Sequence, residues 1–329
     1  MLPPLYKFSL PNGLNITYGQ ISALAGDFYA TDQPISDGPN MADRISRFTK
    51  AFSSLAFDTT RQPSEAVAIL ETAAQETSEF VKAVEKGQDP SEVYNTLPDV
   101  TVTYQAITWS RESGSPGYLG LAQINWDHFG ADARTAYDAG HFAALAVAQQ
   151  GDLLMAYATN AFADHFLEDA FSAGHLRTPR RVLHSNLGLA DLCAKKMHDE
   201  DNAIGLQVAN PRGATWHAYG DKRYLDSVNA DNRNHAFNAL QISTAEIFTA
   251  WKTGLVPEYG KYRAWEEAPT LDSAGGNQEL APLFRPDGAR RLSLQNRRAW
   301  SFTNFYTYAT TLIEIAAGDL WDYPIKIDT

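Results

Sequence analysis

The fold class this sequence predicts is all-α, a single mainly helical domain with long irregular N-terminal and C-terminal segments. Three observations predict it. Apolar residues recur at helical spacing through a long central stretch, Gly and Pro interrupt that pattern at intervals typical of helix ends, and no internal repeat, low-complexity tract or linker divides residues 1–329. With 329 residues, 44% of them hydrophobic and 20% charged, the chain can bury a substantial core.

The elements follow in order. Residues 1–40 are rich in Gly, Pro, Asp and Tyr and read as an irregular arm, with a helical period only around Gln20 to Ala25. Met41 to Ala56 is amphipathic and predicts a helix. Pro63-Ser64-Glu65 opens a second helix with Ser64 as N-cap, and Gly87 and Pro90 close it. Its Ala- and Glu-rich composition predicts a surface helix. Arg111 to Gly117 is a breaker cluster and hence a loop. Three helices are expected over Ala131 to Gln149, Asp152 to Ser172 and Leu187 to Asn202, separated by Gly151 and by Thr178-Pro179. Gly205 to Gly220 reads as a loop, Arg233 to Thr253 as a helix, residues 254–296 as irregular and Trp300 to Ala317 as a last helix.

Charge and cysteine content narrow the chemistry. Lys and Arg total 27 against 39 Asp and Glu, and the net charge of −12 disfavours a stable nucleic-acid partner held in a basic groove. Divalent cations in an acidic cleft reverse that argument locally, because they turn it into a site that attracts phosphate. Cys193 is the single cysteine, so an internal disulfide and a Cys-rich zinc finger are excluded, and a metal must rest on His and carboxylates. No stretch approaches the ~20 apolar residues of a membrane span, and the first residues carry no basic run followed by an apolar one. The chain reads as soluble with no visible signal peptide, or as one whose export signal has been removed or is of another kind.

The residues that carry chemistry cluster in the centre. His165 and Asp169 lie four apart and share one helix face, where two chelating side chains converge. Ala158, Ala161 and Ala173 leave room beside them, and His175 follows Gly174, where the helix is expected to end. Asp164, His165, Glu168 and Asp169 are equally the pattern of a solvated charged arc. The supply of further donors favours a site: His128 stands between Trp126 and Phe129, where a buried imidazole needs a partner, and His198 lies among carboxylates with Asp201 and Asn202 at spacings that share its face. His141 falls in an apolar run and reads as a core histidine, whereas His184, His217 and His235 have no partner at chelating spacing.

The segment His165-Phe166-Leu167-Glu168-Asp169 followed by Ala173-Gly174-His175 resembles the His-x3-Asp-x5-His signature of the zinc-dependent phospholipase C and single-strand nuclease superfamily. Asn125 to Phe129 is similar to the segment of that family's upstream metal histidine, Ala23 to Tyr29 to that of its N-terminal aspartate, and His198 with Asp201 or Asn202 to its downstream His-x3-acid element. The likeness covers residues 17–40 and 120–202 and is greatest to the longer bacterial and fungal metallophospholipases C. It implies an α-helical fold holding two or three zinc ions, one on Asp27, His128, His165 and Asp169 and a second on His175, His198 and Asp201, with Asn202 as an alternative donor. Asp27 would be either a ligand or the base.

Two departures accompany the likeness. The family's third zinc is held by a processed N-terminal Trp and an early His, whereas this sequence begins with Met1 and has no His before His128. Asn202 also stands where an acid is usual. The resemblance further implies hydrolysis of phosphatidylcholine-like lipids to diacylglycerol and phosphocholine at a membrane or micelle surface, with Phe28, Tyr29 and Trp126 as aromatic faces for choline. A secreted protein is implied, and a cytoplasmic one otherwise. A single-strand nuclease or 3′-nucleotidase of the same type and a non-catalytic helical scaffold are the competing expectations.

Overall fold

A computed structural model of the chain describes residues 6–60, 63–94, 96–109, 116–184, 188–276, 278 and 282–287. These residues are mostly helical. Two short strands, β1 (Lys7–Ser9) and β2 (Asn15–Thr17), pair antiparallel and lead into α1 (Tyr18–Leu24), where Thr17 and Gln20 form a capping box. Next come α2 (Met41–Ala56), α3 (Ser64–Glu85), α4 (Pro90–Tyr94), α5 (Thr101–Thr108) and α6 (Tyr118–Gln123). The centre is built from α7 (Gly130–Gln149), α8 (Leu153–Asp169), α9 (Ala173–Arg177), α10 (Arg180–Leu183) and α11 (Leu189–Ile204). An antiparallel hairpin of β3 (Leu206–Ala209) and β4 (Thr215–Ala218) precedes α12 (Ala230–Thr253) and α13 (Leu271–Gly275).

Most of the expected helices are present with ends shifted by a few residues. The helix expected from Asp152 to Ser172 stops at Asp169, and Asp152 caps it by accepting the Met155 N–H at 3.0 Å. Ser64 is the first helical residue of α3 rather than its cap. The arm and the segment 205–220 are the corrections. Leu206 and Val208 are buried while Gln207 is exposed, so the expected loop is half a hairpin, with Gly213 in the left-handed region at its turn. The last expected helix, residues 300–317, lies outside the described residues, as does most of the 111–117 loop.

The chain forms two compact units. The first comprises Met1–Ser78, Pro98–Glu168 and Phe237–Glu266. Its core rests on α2, whose Phe48, Ala51, Phe52 and Leu55 recur at helical spacing and are buried, with the Phe48 and Phe52 rings edge-on to Phe162 of α8. Burial of each of the large side chains Phe48, Phe52 and Leu55 contributes about 1.5–3 kcal/mol. The second comprises Glu79–Leu97, Asp169–Ala236 and Glu267–Thr329. Leu183, Cys193, Met197, Leu283 and Phe284 form a buried cluster there, and the β3–β4 hairpin is tied to α13 by the Ser273 hydroxyl and the Thr270 N–H, both bonded to Ala209.

Candidate metal centre

Helix α8 presents four acidic or imidazole side chains in its last two turns, and they divide into two pairs. Asp164 and Glu168 accept hydrogen bonds from Tyr18 (2.6 Å) and Ser22 (2.6 Å) of α1, so this i, i+4 pair of α8 matches an i, i+4 pair of α1. The charged arc is therefore not a solvated face. Burial pushes the Asp164 carboxyl up to about 6, despite the Tyr18 and Ser243 hydroxyls that donate to it. The second pair, His165 and Asp169, faces the donor cluster.

Locking α1 onto α8 brings Gly26 and Asp27, which follow α1, to His128 and His165. Gly26 has φ of 67°, and a Cβ there would lie 2.8 Å from His128 Nε2 and 3.0 Å from His165 Nε2. The absence of a side chain thus lets the backbone pass close against both imidazoles. His128 itself is positioned by its neighbours. Asp127 accepts from the Ile35 and Ser36 backbones and the Ser36 hydroxyl, and Trp126 Nε1 donates to Asp37 at 3.1 Å. With the two preceding side chains tied to residues 35–37, the buried His128 ring stands edge-on to His165, ring nitrogens 3.0 Å apart.

One donor atom from each of His128, His165 and Asp169 lies within 4.8 Å of the others. Asp27, 49% exposed at its side chain, places Oδ1 3.9 Å from His128 Nε2 and is the open edge of this group. Two imidazoles and one or two carboxylates are a borderline donor set that suits zinc.

A second group, His175, His198 and Asp221, also brings its donor atoms within 4.8 Å. Its assembly runs through Asn202, whose Oδ1 accepts the Gly174 N–H at 2.6 Å and the Ser172 hydroxyl at 2.9 Å. Those two donors fix the amide so that Nδ2 faces His198 Nε2 at 3.1 Å, and Nε2 must then carry a lone pair. In the neutral ring this assigns the proton to Nδ1, which lies 3.0 Å from Asp199 Oδ1. This is the second-sphere arrangement that aims an imidazole lone pair at a cation. Burial works against protonation of His198, but Asp221 and Asp199 outweigh it and raise its pKa, while His198 and Lys195 hold Asp199 at about 2 against its own burial. His175 Nδ1 lies 2.7 Å from Asp169 Oδ1.

Asp221 was not foreseen. It reaches His198 Nε2 at 3.4 Å from a backbone φ of 42°, the one positive value at a non-glycine among the described residues. Gly220 before it passes so close to Asn202 and Ser172 that a Cβ would overlap both. The available signal was the Gly220-Asp221 dipeptide, a copy of Gly26-Asp27, but Gly151-Asp152 is the same pair at an ordinary helix start.

The expected ligands Asp201 and Asn202 are placed otherwise. Asp201 is fully buried and takes a two-point ion pair from Arg177 at 2.6 and 2.8 Å, and Asn202 is a bracket for Gly174 rather than a donor to a cation. The three aromatics expected to face choline are packed away. Phe28 lies against Tyr104 and Tyr118, Tyr29 is buried with its hydroxyl donating to Glu65 at 2.8 Å, and Trp126 is buried against the 35–37 turn. His141 is a core histidine, bonded to Asn160 at 2.7 Å and Glu246 at 3.0 Å. His184, His217 and His235 each bond within the fold, to Asp191, the Ile204 carbonyl and Glu267. Comparison with models of known protein families, with curated proteins and with solved structures finds no match.

Proposed function

We propose that the chain is a zinc-dependent phosphodiesterase of the phospholipase C and single-strand nuclease superfamily, acting as a phospholipase C on phosphatidylcholine-like lipids. One observation carries this reading: donors far apart in sequence, His128 with His165 and Asp169, and His175 with His198 and Asp221, gather into two groups of metal-binding composition. Zinc, when bound, polarises a phosphoryl oxygen and makes water nucleophilic near neutral pH.

The chain's own residues supply orientation and proton handling around that chemistry. Asp199 and Asn202 hold His198 in the tautomer whose Nε2 can bind a cation. Asp27 is the half-exposed carboxylate at the edge of the first group, and its position serves either as a further donor or as the base that takes a proton from the attacking water. Asp221 supplies the carboxylate of the second group in place of Asp201. The net charge of −12 favours a lipid headgroup over a polynucleotide as the phosphodiester.

The test is a paired assay of zinc-reconstituted protein on phosphatidylcholine and on single-stranded DNA. Release of phosphocholine with no cleavage of DNA is the expected result. Cleavage of DNA alone would make it a nuclease, and activity on neither would leave the scaffold reading.

A further inference from the structure

Asp221, the carboxylate of the second metal group, stands on a turn and not on the helices that carry the two imidazoles. It opens a single 3-10 turn, Asp221–Arg223, and its φ of 42° is a conformation that an L residue keeps only where its surroundings hold it. What holds it lies eight residues further on. Asn229 is fully buried, and its amide spans the turn. Oδ1 accepts the Tyr219 N–H at 2.9 Å, two residues before Asp221, and Nδ2 donates to the Tyr224 carbonyl at 2.9 Å, three residues after it. One planar group thereby fixes both ends of the segment. An aspartate there could not serve both, because a carboxylate has no proton to give a carbonyl.

The same turn is tied to helix α11, which carries His198. The Gly220 N–H donates to the Asn202 carbonyl at 3.2 Å. Arg223 donates from Nη1 to the Ala203 carbonyl at 2.7 Å and from Nε to Asp226 at 3.2 Å, with its guanidinium over the Tyr219 ring, 4.3 Å from the centroid. Asn229 therefore sets the shape of the turn, and Arg223 sets its place against the helix of the imidazole that Asp221 must reach.

We propose that Asn229 is a positioning residue for the second metal group: its buried amide, seconded by Arg223, holds Asp221 at His198 and so sets the affinity of that group for zinc. The inference rests on the metal-binding reading of His175, His198 and Asp221 given above, and its test separates the two.

The test measures zinc affinity of the full chain by competition with a chromophoric chelator, with His198→Ala marking which binding step belongs to the second group. Asn229→Ala and Arg223→Gln are each made in the wild type and in an Asp221→Ala background. Asn210→Ala is the control, since Asn210 is a buried asparagine that closes a different turn by accepting the Ala214 N–H at 3.0 Å. The expected result is second-group affinity weaker by about tenfold in Asn229→Ala and severalfold in Arg223→Gln, no further loss from either once Asp221 is alanine, and wild-type affinity in Asn210→Ala. A purely structural bracket would lower stability in both backgrounds without that dependence on Asp221. Unchanged zinc affinity in Asn229→Ala, an equal loss in Asn210→Ala, or the same loss with and without Asp221 would overturn the proposal while leaving the metal groups standing. If Asn229→Ala does not fold, Arg223→Gln decides by the same cycle. A wild type that binds zinc at the first group alone would overturn it as well. The expected cycle in a protein that hydrolyses no phosphodiester would uphold the positioning role and remove the enzymatic reading.

Discussion

Asp201 and Asp221 divide two jobs that sequence spacing assigns to one residue. Asp201 shares a helix with His198 and stands three positions on, but its carboxylate is spent on Arg177 in a fully buried pair. Asp221 arrives from a turn at the cost of a left-handed backbone. Asp201→Asn is therefore expected to lower stability by about 3–5 kcal/mol, read by denaturant unfolding, because Arg177 is left buried without its counter-charge. Asp221→Asn is expected to leave stability within about 1 kcal/mol and to weaken metal binding at the second group, read by zinc titration. His165→Ala is expected to remove nearly all hydrolysis, whereas His141→Ala acts on stability, because its two ring nitrogens are bonded to Asn160 and Glu246. The His165–Asp169 pair was legible in the sequence because helical periodicity alone puts i and i+4 together. Asp221 was not, since its approach depends on tertiary contacts around Gly220 and Asn202 that no local pattern encodes.

Helices α1 and α8 act as a matched pair whose two hydrogen bonds, Tyr18 to Asp164 and Ser22 to Glu168, deliver Gly26 and Asp27 to the imidazoles. The double variant Tyr18→Phe and Ser22→Ala removes the two α1 donors to Asp164 and Glu168, leaving Ser243 on Asp164 and touching no metal donor. It is expected to reduce zinc affinity at the first group by about tenfold, measured by competition with a chromophoric chelator. Unchanged affinity would mean that α1 positions nothing. At this scale the long amphipathic segments were legible: α2 has the expected ends, Met41 and Ala56, because a regular apolar stripe and the Asn40 cap specify them locally. The β3–β4 hairpin was missed because its strands are four residues each, too short for a period to stand out, although Leu206-Gln207-Val208 alternates and Asn210 with Gly213 marks a turn.

Two properties belong to the molecule as a whole, its response to pH and its metal content. In α7, burial raises the Asp138 carboxyl from 3.8 to about 6 although Trp265 Nε1 donates to it at 2.8 Å. A folded pKa above the unfolded value means that the stability it contributes is fully present below about 4 and is lost as pH rises through about 6. Asp138→Asn, which can still accept from Trp265, is expected to reduce the loss of thermal stability across that window, leaving the share that belongs to Asp164, and to raise stability at pH 7 by about 1–3 kcal/mol. Metal content bears on everything else. The most direct measurement is the number of zinc ions retained per chain after reconstitution and exhaustive dialysis, in the wild type and in His165→Ala and His198→Ala. The expected result is about two in the wild type and one fewer in each variant, with hydrolysis lost to chelator and restored by zinc. A correctly folded wild-type chain that retains none would contradict the account.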